Sequence, residues 1–150
     1  MQPHNNIGYL LNHLAFVLLR QSDQVLQEQL GIGFSQFKIL MVLKWNPSLQ
    51  QRQIADRLGQ TEASISRQIK LLHEKGLLST YVSPKNKREH ITTLTPKGEK
   101  LTEKSMTILN NYHAPTFATL TPKQQEQLTT LLTIMHDHVC SSETKTGFHN

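Results

Sequence analysis

Gln51–Gly76 reads QRQIADRLGQTEASISRQIKLLHEKG, and the spacing of its small and apolar residues decides the fold. Ala55 is small enough for two helices to cross closely, Gly59 suits the positive φ of a sharp turn, and Ile65 returns to the shared core. This pattern predicts a helix-turn-helix in which Ile54 and Leu58 of the first helix meet Ile65, Ile69 and Leu72 of the second. Thr61 is placed to cap the second helix, and Glu62 in its first turn suits the positive end of the dipole. Taking Ile65 as the inward direction, Ala63 and Arg67 each lie about 160° away and Lys70 about 140°, so all three face outward. Ser64 and Ser66 sit on the shoulders. The exposed face of Thr61, Ala63, Ser64, Ser66, Arg67 and Lys70 is narrow enough to enter a major groove, with Arg67 suited to reading guanine.

On the C-terminal side, Leu77–Ser83 and His90–Thr95 are rich in Thr, Tyr, Val, Ile and Leu and flank the polar run PKNKRE at 84–89. The pattern predicts a β-hairpin. A basic hairpin directly after a helix-turn-helix is a wing, able to lay Lys85, Lys87 and Arg88 along phosphates or into a minor groove. Thr95 and Pro96 then restart helix, with Leu101, Ile108, Leu109 and Tyr112 marking its apolar side and Pro115 expected to interrupt it. Thr121-Pro122-Lys123-Gln124 supplies a new cap resembling a capping box, and Leu128, Leu131, Leu132, Met135 and Val139 stripe the last helix. From Ser141 the polar, Gly-containing tail (141–150) is expected to be disordered.

On the N-terminal side, Ile7, Leu10, Leu11, Leu14, Val17, Leu18, Val25 and Leu30 give one long amphipathic helix ending near Gly31. A second helix follows, with Ser35 as expected N-cap, Phe37, Leu40, Met41 and Leu43 as buried stripe, and Asn46-Pro47 as stop. The fold class is therefore mainly α with a small β-hairpin wing. The 150 residues are read as one domain, with terminal helices at 7–31 and 96–140 enclosing a DNA-binding lobe at 35–95.

Charge supports a polyanionic partner. The formal net charge is +5, and residues 67–104 carry all of it, nine basic side chains against four acidic, while the rest of the chain sums to zero. The single cysteine, Cys140, allows no internal disulfide, and no paired Cys/His pattern marks a zinc site. His136 and His138 stand about 160° apart on a helix, a poor chelate, so neither a metal nor another cofactor is expected. No run of about 18 apolar residues and no cationic leader appears, which places the protein in a reducing cytoplasm and away from membranes. Nor is there a Gly-rich phosphate loop or a convergent nucleophile and base, so the expectation is a binding protein and not an enzyme.

The helix-turn-helix, the phrase LLHEKGLL at 71–78 and the stretch NKREHITTLTPKG at 86–98 together resemble the MarR family of transcription regulators, and the similarity in helix order covers nearly the whole chain. That family shows Asp-x-Arg shortly before Leu-Thr-x-x-Gly; Arg88, Leu94, Thr95 and Gly98 match, whereas Asn86 replaces the aspartate that steadies the wing arginine. The resemblance implies a homodimer whose first and last helices interlock, presenting two winged helices to a palindromic duplex. Pairing would also cover the apolar stripes of the terminal helices. It further implies a cytoplasmic repressor released by a small aromatic or lipophilic effector, with His13, Phe16, Phe37, Trp45, Tyr112 and His113 as candidates to line its pocket. The alternative is a winged helix that binds protein without reading DNA. That alternative calls for an apolar or acidic second helix, unlike the Ala63, Ser64, Ser66, Arg67 and Lys70 face.

Overall fold

The computed structural model describes residues 5–143. Six helices and three short strands follow in the order α1 (Ile7–Leu30), α2 (Phe34–Trp45), β1 (Leu49–Gln50), α3 (Gln51–Leu58), α4 (Glu62–Glu74), β2 (Leu78–Val82), β3 (His90–Leu94), α5 (Pro96–Phe117) and α6 (Pro122–Glu143). The described residues fall into two compact units that divide between Leu109 and Asn110, inside α5.

The core of the first unit is built around α2, which buries Gln36, Phe37, Ile39, Leu40 and Leu43 on more than one side. Leu26 of α1, Ile32, Ile54 and Ala55 of α3, Ile65, Ile69 and Leu72 of α4, and Leu77 complete it. Met41, assigned to the buried stripe from spacing, is only half-buried, whereas Ile39 is fully buried. Ser35 is not the cap of α2. The helix begins one residue earlier, and the Phe34 N–H donates to Asp23 Oδ1 at 2.8 Å, so a carboxylate eleven residues upstream takes the orphan donor. The other caps follow the local rules. Asn6 Oδ1 accepts from the Tyr9 N–H at 2.9 Å, and Thr121 exchanges both bonds of a capping box with Gln124, at 2.9 and 3.2 Å.

The hairpin belongs to a three-stranded antiparallel sheet of order β1-β3-β2. In β1, Leu49 pairs with Thr92 and Gln50 with Ile91; two residues carry no readable period, so the strand is visible only through its partner. Leu78 opposite Leu94 and Val82 opposite His90 fix the register of β2 against β3. Helix α5 rises from β3 by packing its backbone against Leu77: a Cβ on Gly98 would stand 2.1 Å from the Leu77 carbonyl oxygen, so only glycine fits there.

Two expectations about the C-terminal helices are corrected. Pro115 does not interrupt α5, which continues to Phe117; the proline removes only the one N–H that would donate to the Asn111 carbonyl, and beyond it the Ala118 N–H still donates to the Ala114 carbonyl at 2.9 Å. Helix α6 runs on through residues 141–143, three past its expected end, and the remainder of the expected tail lies outside the described residues. In the second unit the apolar side of α6 is uncovered in the single chain: Leu128, Leu131, Leu132, Ile134, Met135 and Val139 are all exposed. The same holds for Ile7, Leu10, Leu14, Phe16 and Leu19 on α1.

Candidate nucleic-acid interface

Helix α4 is held from beneath and bare above. Ile65 and Leu72 are fully buried and Ile69 nearly so, which fixes the helix to α3 and α2. Gly59, at φ +61°, makes the turn between α3 and α4, and its N–H and that of Gln60 return to the carbonyls at the end of α3. Thr61 Oγ1 accepts from the Ser64 N–H at 3.2 Å, and Gln51 Nε2 reaches the Glu62 carbonyl at 3.4 Å, tying the start of α4 to the start of α3.

Above that base, Thr61, Ala63, Ser66, Arg67 and Lys70 are exposed, as their angular positions require. Ser64 is half-buried, with its Oγ directed to Gln60 Oε1 at 3.5 Å, so it is committed more to the turn than to the open face. The structure thus brings the expected reading residues onto one rigid helix, whose first turn carries small side chains that let a duplex approach closely.

The wing is folded by its own backbone. The Ser83 N–H donates to the Glu89 carbonyl at 2.9 Å and the Glu89 N–H to the Asn86 carbonyl at 3.0 Å, closing the tip. Asn86 Oδ1 accepts the backbone N–H of Arg88 at 3.1 Å, and Lys85 donates its N–H to Ser83 Oγ at 3.3 Å. Asn86 therefore steadies the loop backbone instead of gripping the Arg88 guanidinium, the task ascribed to the aspartate it replaces. Lys85, Lys87 and Arg88 are left exposed on the tip.

None of Arg67, Lys70, Lys85, Lys87 and Arg88 is ion-paired among the described residues, where the ion pairs are Lys44–Glu103 at 3.0 Å and His136–Asp137 at 3.3 Å. Five unpaired cations on one helix and the adjoining wing form an electrostatic surface that phosphates would neutralise.

The residues expected around an effector separate. Phe37 is buried in the core, its ring 5.8 Å from that of Phe34. Phe16 is exposed and lines a shallow depression of about 310 Å³ with Leu19, Arg20, Phe34 and Lys38, the Arg20 guanidinium lying 6.0 Å from its ring. His13 stacks on Tyr9 at 5.6 Å, and Trp45 is largely exposed at the end of α2. Tyr112 and His113 meet edge to face at 5.1 Å in the second unit. Cys140 has a neighbour the sequence reading did not assign, His136 Nε2 at 3.4 Å, one turn earlier on α6. The described residues hold no cluster of three or more His, Cys, Asp or Glu side chains able to bind a metal.

A buried helix-turn-helix with a bare second helix and a basic three-stranded wing defines a winged helix-turn-helix protein. Residues 30–89 match the sequence model of the MarR family. The chain is 30% identical to the HTH-type transcriptional regulator BilQ of Clostridium symbiosum over 78% of this chain and 79% of BilQ. It is 25% identical to an HTH-type transcriptional repressor of Mycobacterium tuberculosis over 84% of this chain and 90% of that protein. Among solved structures, the Staphylococcus aureus MepR–DNA complex superposes with a TM-score of 0.74 at 27% identity, covering 89% of this chain and 98% of MepR. The chain belongs to the MarR family of transcription regulators.

Proposed function

We propose that this protein is a cytoplasmic homodimer that binds a palindromic duplex operator through α4 and the wing, represses transcription from it, and is released by a small-molecule effector, with no catalytic activity. The observation that carries the DNA reading is the placement of the unpaired cations. Arg67 and Lys70 stand on the outward face of α4 and Lys85, Lys87 and Arg88 on the adjoining wing tip, all exposed. Arg67 reads a base edge, while Lys85, Lys87 and Arg88 hold phosphates. Thr61, Ala63, Ser64 and Ser66 shape the surface that seats the helix. The similarity to MepR, whose structure was solved with DNA, supports the same mode of binding. Repression agrees with the name of the mycobacterial relative.

Two-fold pairing is supported by the exposed apolar faces of α1 and α6, which a partner would remove from water. The described helices include none long and apolar enough to cross a membrane. An effector in contact with Phe16 and its neighbours Leu19, Arg20, Phe34 and Lys38 is the regulatory part of the proposal.

Selection of bound fragments from the host genome, followed by gel retardation of the recovered duplexes, tests the function. Retardation that weakens linearly in log affinity against log salt is expected, with a slope near −0.9 per phosphate contacted. Failure to retard any recovered fragment at about 50 mM salt would refute the DNA reading.

A further inference from the structure

The wing tip carries one acid among its cations. Residues 84–89 read PKNKRE, so Glu89 directly follows Lys87 and Arg88. A carboxylate in that position would ordinarily pair with one of the two cations or stand in the path of a phosphate, and either outcome weakens the surface for a duplex. Glu89 does neither. It makes no ion pair among the described residues, and its Oε1 accepts instead from a neutral amide, Asn86 Nδ2, at 3.4 Å. Of residues 84–89 Glu89 alone is half-buried, while the other five are exposed.

Asn86 is engaged at both ends of its side chain. Oδ1 accepts the Arg88 N–H at 3.1 Å while Nδ2 holds the Glu89 carboxylate. The backbone fixes Glu89 as well, its N–H donating to the Asn86 carbonyl at 3.0 Å and its carbonyl accepting the Ser83 N–H at 2.9 Å. A turn alone would explain only half of this. An aspartate at position 86 would accept the Arg88 N–H equally well, as short polar side chains do two residues ahead of a backbone N–H. Only the amide also donates, and a donor is what a neighbouring carboxylate requires.

We propose that Asn86 is a positioning residue for DNA binding, tethering Glu89 away from the duplex and from Lys87 and Arg88 so that both cations remain available to phosphates. The tether is a feature of the free protein; its consequence for DNA rests on the regulator reading above. Because the tether is neutral, it satisfies the acid without consuming a cation. Asn86→Asp keeps the acceptor for the Arg88 N–H and removes only the donor. Two carboxylates then face each other, repel, and release Glu89 toward the cations and the phosphates. Glu89→Gln in the same background returns a donor to the pair, restoring the bond with its polarity reversed.

The experiment begins on the full-length protein without DNA, where a nuclear Overhauser contact between the Asn86 side-chain amide and the Glu89 γ-methylene is expected. The parent, N86D, E89Q and N86D/E89Q are then compared by fluorescence anisotropy on a selected duplex and on its scrambled counterpart at about 100 mM salt. N86D should weaken binding to both duplexes about fivefold per wing, the effect of one misplaced unit charge close to a phosphate in water. E89Q should change affinity less than about twofold, because the acid is already turned aside, and N86D/E89Q should return to within about twofold of the parent. Charge acting without a tether predicts otherwise: E89Q would gain as much as N86D loses. Such a gain, a double variant as weak as N86D, N86D binding as tightly as the parent, or absence of the contact in the free protein would overturn the proposal. A parent that shows the contact but binds neither duplex would refute the regulator reading, and with it the role of Asn86 in DNA binding, while the tether itself stands.

Discussion

Replacing Gly98 with alanine should damage the fold far more than its solvent-remote position in a helix suggests. The backbone of Gly98 is helical and unstrained, so alanine would ordinarily be favourable there. The added methyl, however, would stand 2.1 Å from the Leu77 carbonyl oxygen and 3.0 Å from its carbon. A carbon needs about 3.3 Å from a carbonyl oxygen, so α5 and the chain entering β2 must part by roughly 1.2 Å. Overpacking of this kind costs about 1–3 kcal/mol. Separation also strains the bond from the Thr95 N–H to the same carbonyl, now 3.1 Å, worth about 1 kcal/mol more. The expected loss is about 3 kcal/mol, or roughly 6–12 °C in Tm. Gly59→Ala is the control: nothing lies within 4 Å of the added carbon, and only the positive φ is penalised, by about 1–2 kcal/mol. Urea and thermal unfolding at one fixed protomer concentration measure both. A Gly98→Ala protein as stable as the parent, or more stable than Gly59→Ala, would refute the close-packing argument.

Pairing through α6 predicts that Ile134→Ser, at a side chain 63% exposed in the single chain, is felt twice in a symmetric dimer. Dissociation should strengthen by roughly 3 kcal/mol or more, a hundredfold in Kd, and sedimentation equilibrium showing an unchanged dimer would exclude Ile134 from the interface. Lys87→Ala on the wing should weaken matched and scrambled duplexes alike and reduce the salt slope by about 1, as read by anisotropy at several salt concentrations. A loss confined to the matched duplex would make Lys87 a base reader instead.

Most of the fold is legible in the sequence where the determinants are local. Gly31 and Gly59 end their helices in the left-handed region, Thr61 and Thr121 cap theirs, and the apolar spacing of 54–72 places Ile54, Ile65 and Leu72 in the core. What escapes the sequence is set by partners distant along the chain. Asp23 displaces Ser35 from the start of α2, β1 exists only because β3 offers it an edge, and Met41 yields to Ile39 because α2 is covered on more than one side. In the interface, the outward positions of Ala63, Arg67 and Lys70 follow from helical angle alone. The turn toward Gln60 that half-buries Ser64 and the use of Asn86 on the Arg88 backbone do not, since both depend on loop geometry.

In the proposed function the outward face of α4 reads sequence. Its most direct test is fluorescence anisotropy of the parent and of Arg67→Ala on a selected duplex and on its scrambled counterpart at the same salt concentration. The account predicts that Arg67→Ala loses about 1–3 kcal/mol on the selected duplex, much less on the scrambled one, and relaxes preference at one base pair per half-site. Unchanged discrimination between the two duplexes would contradict it.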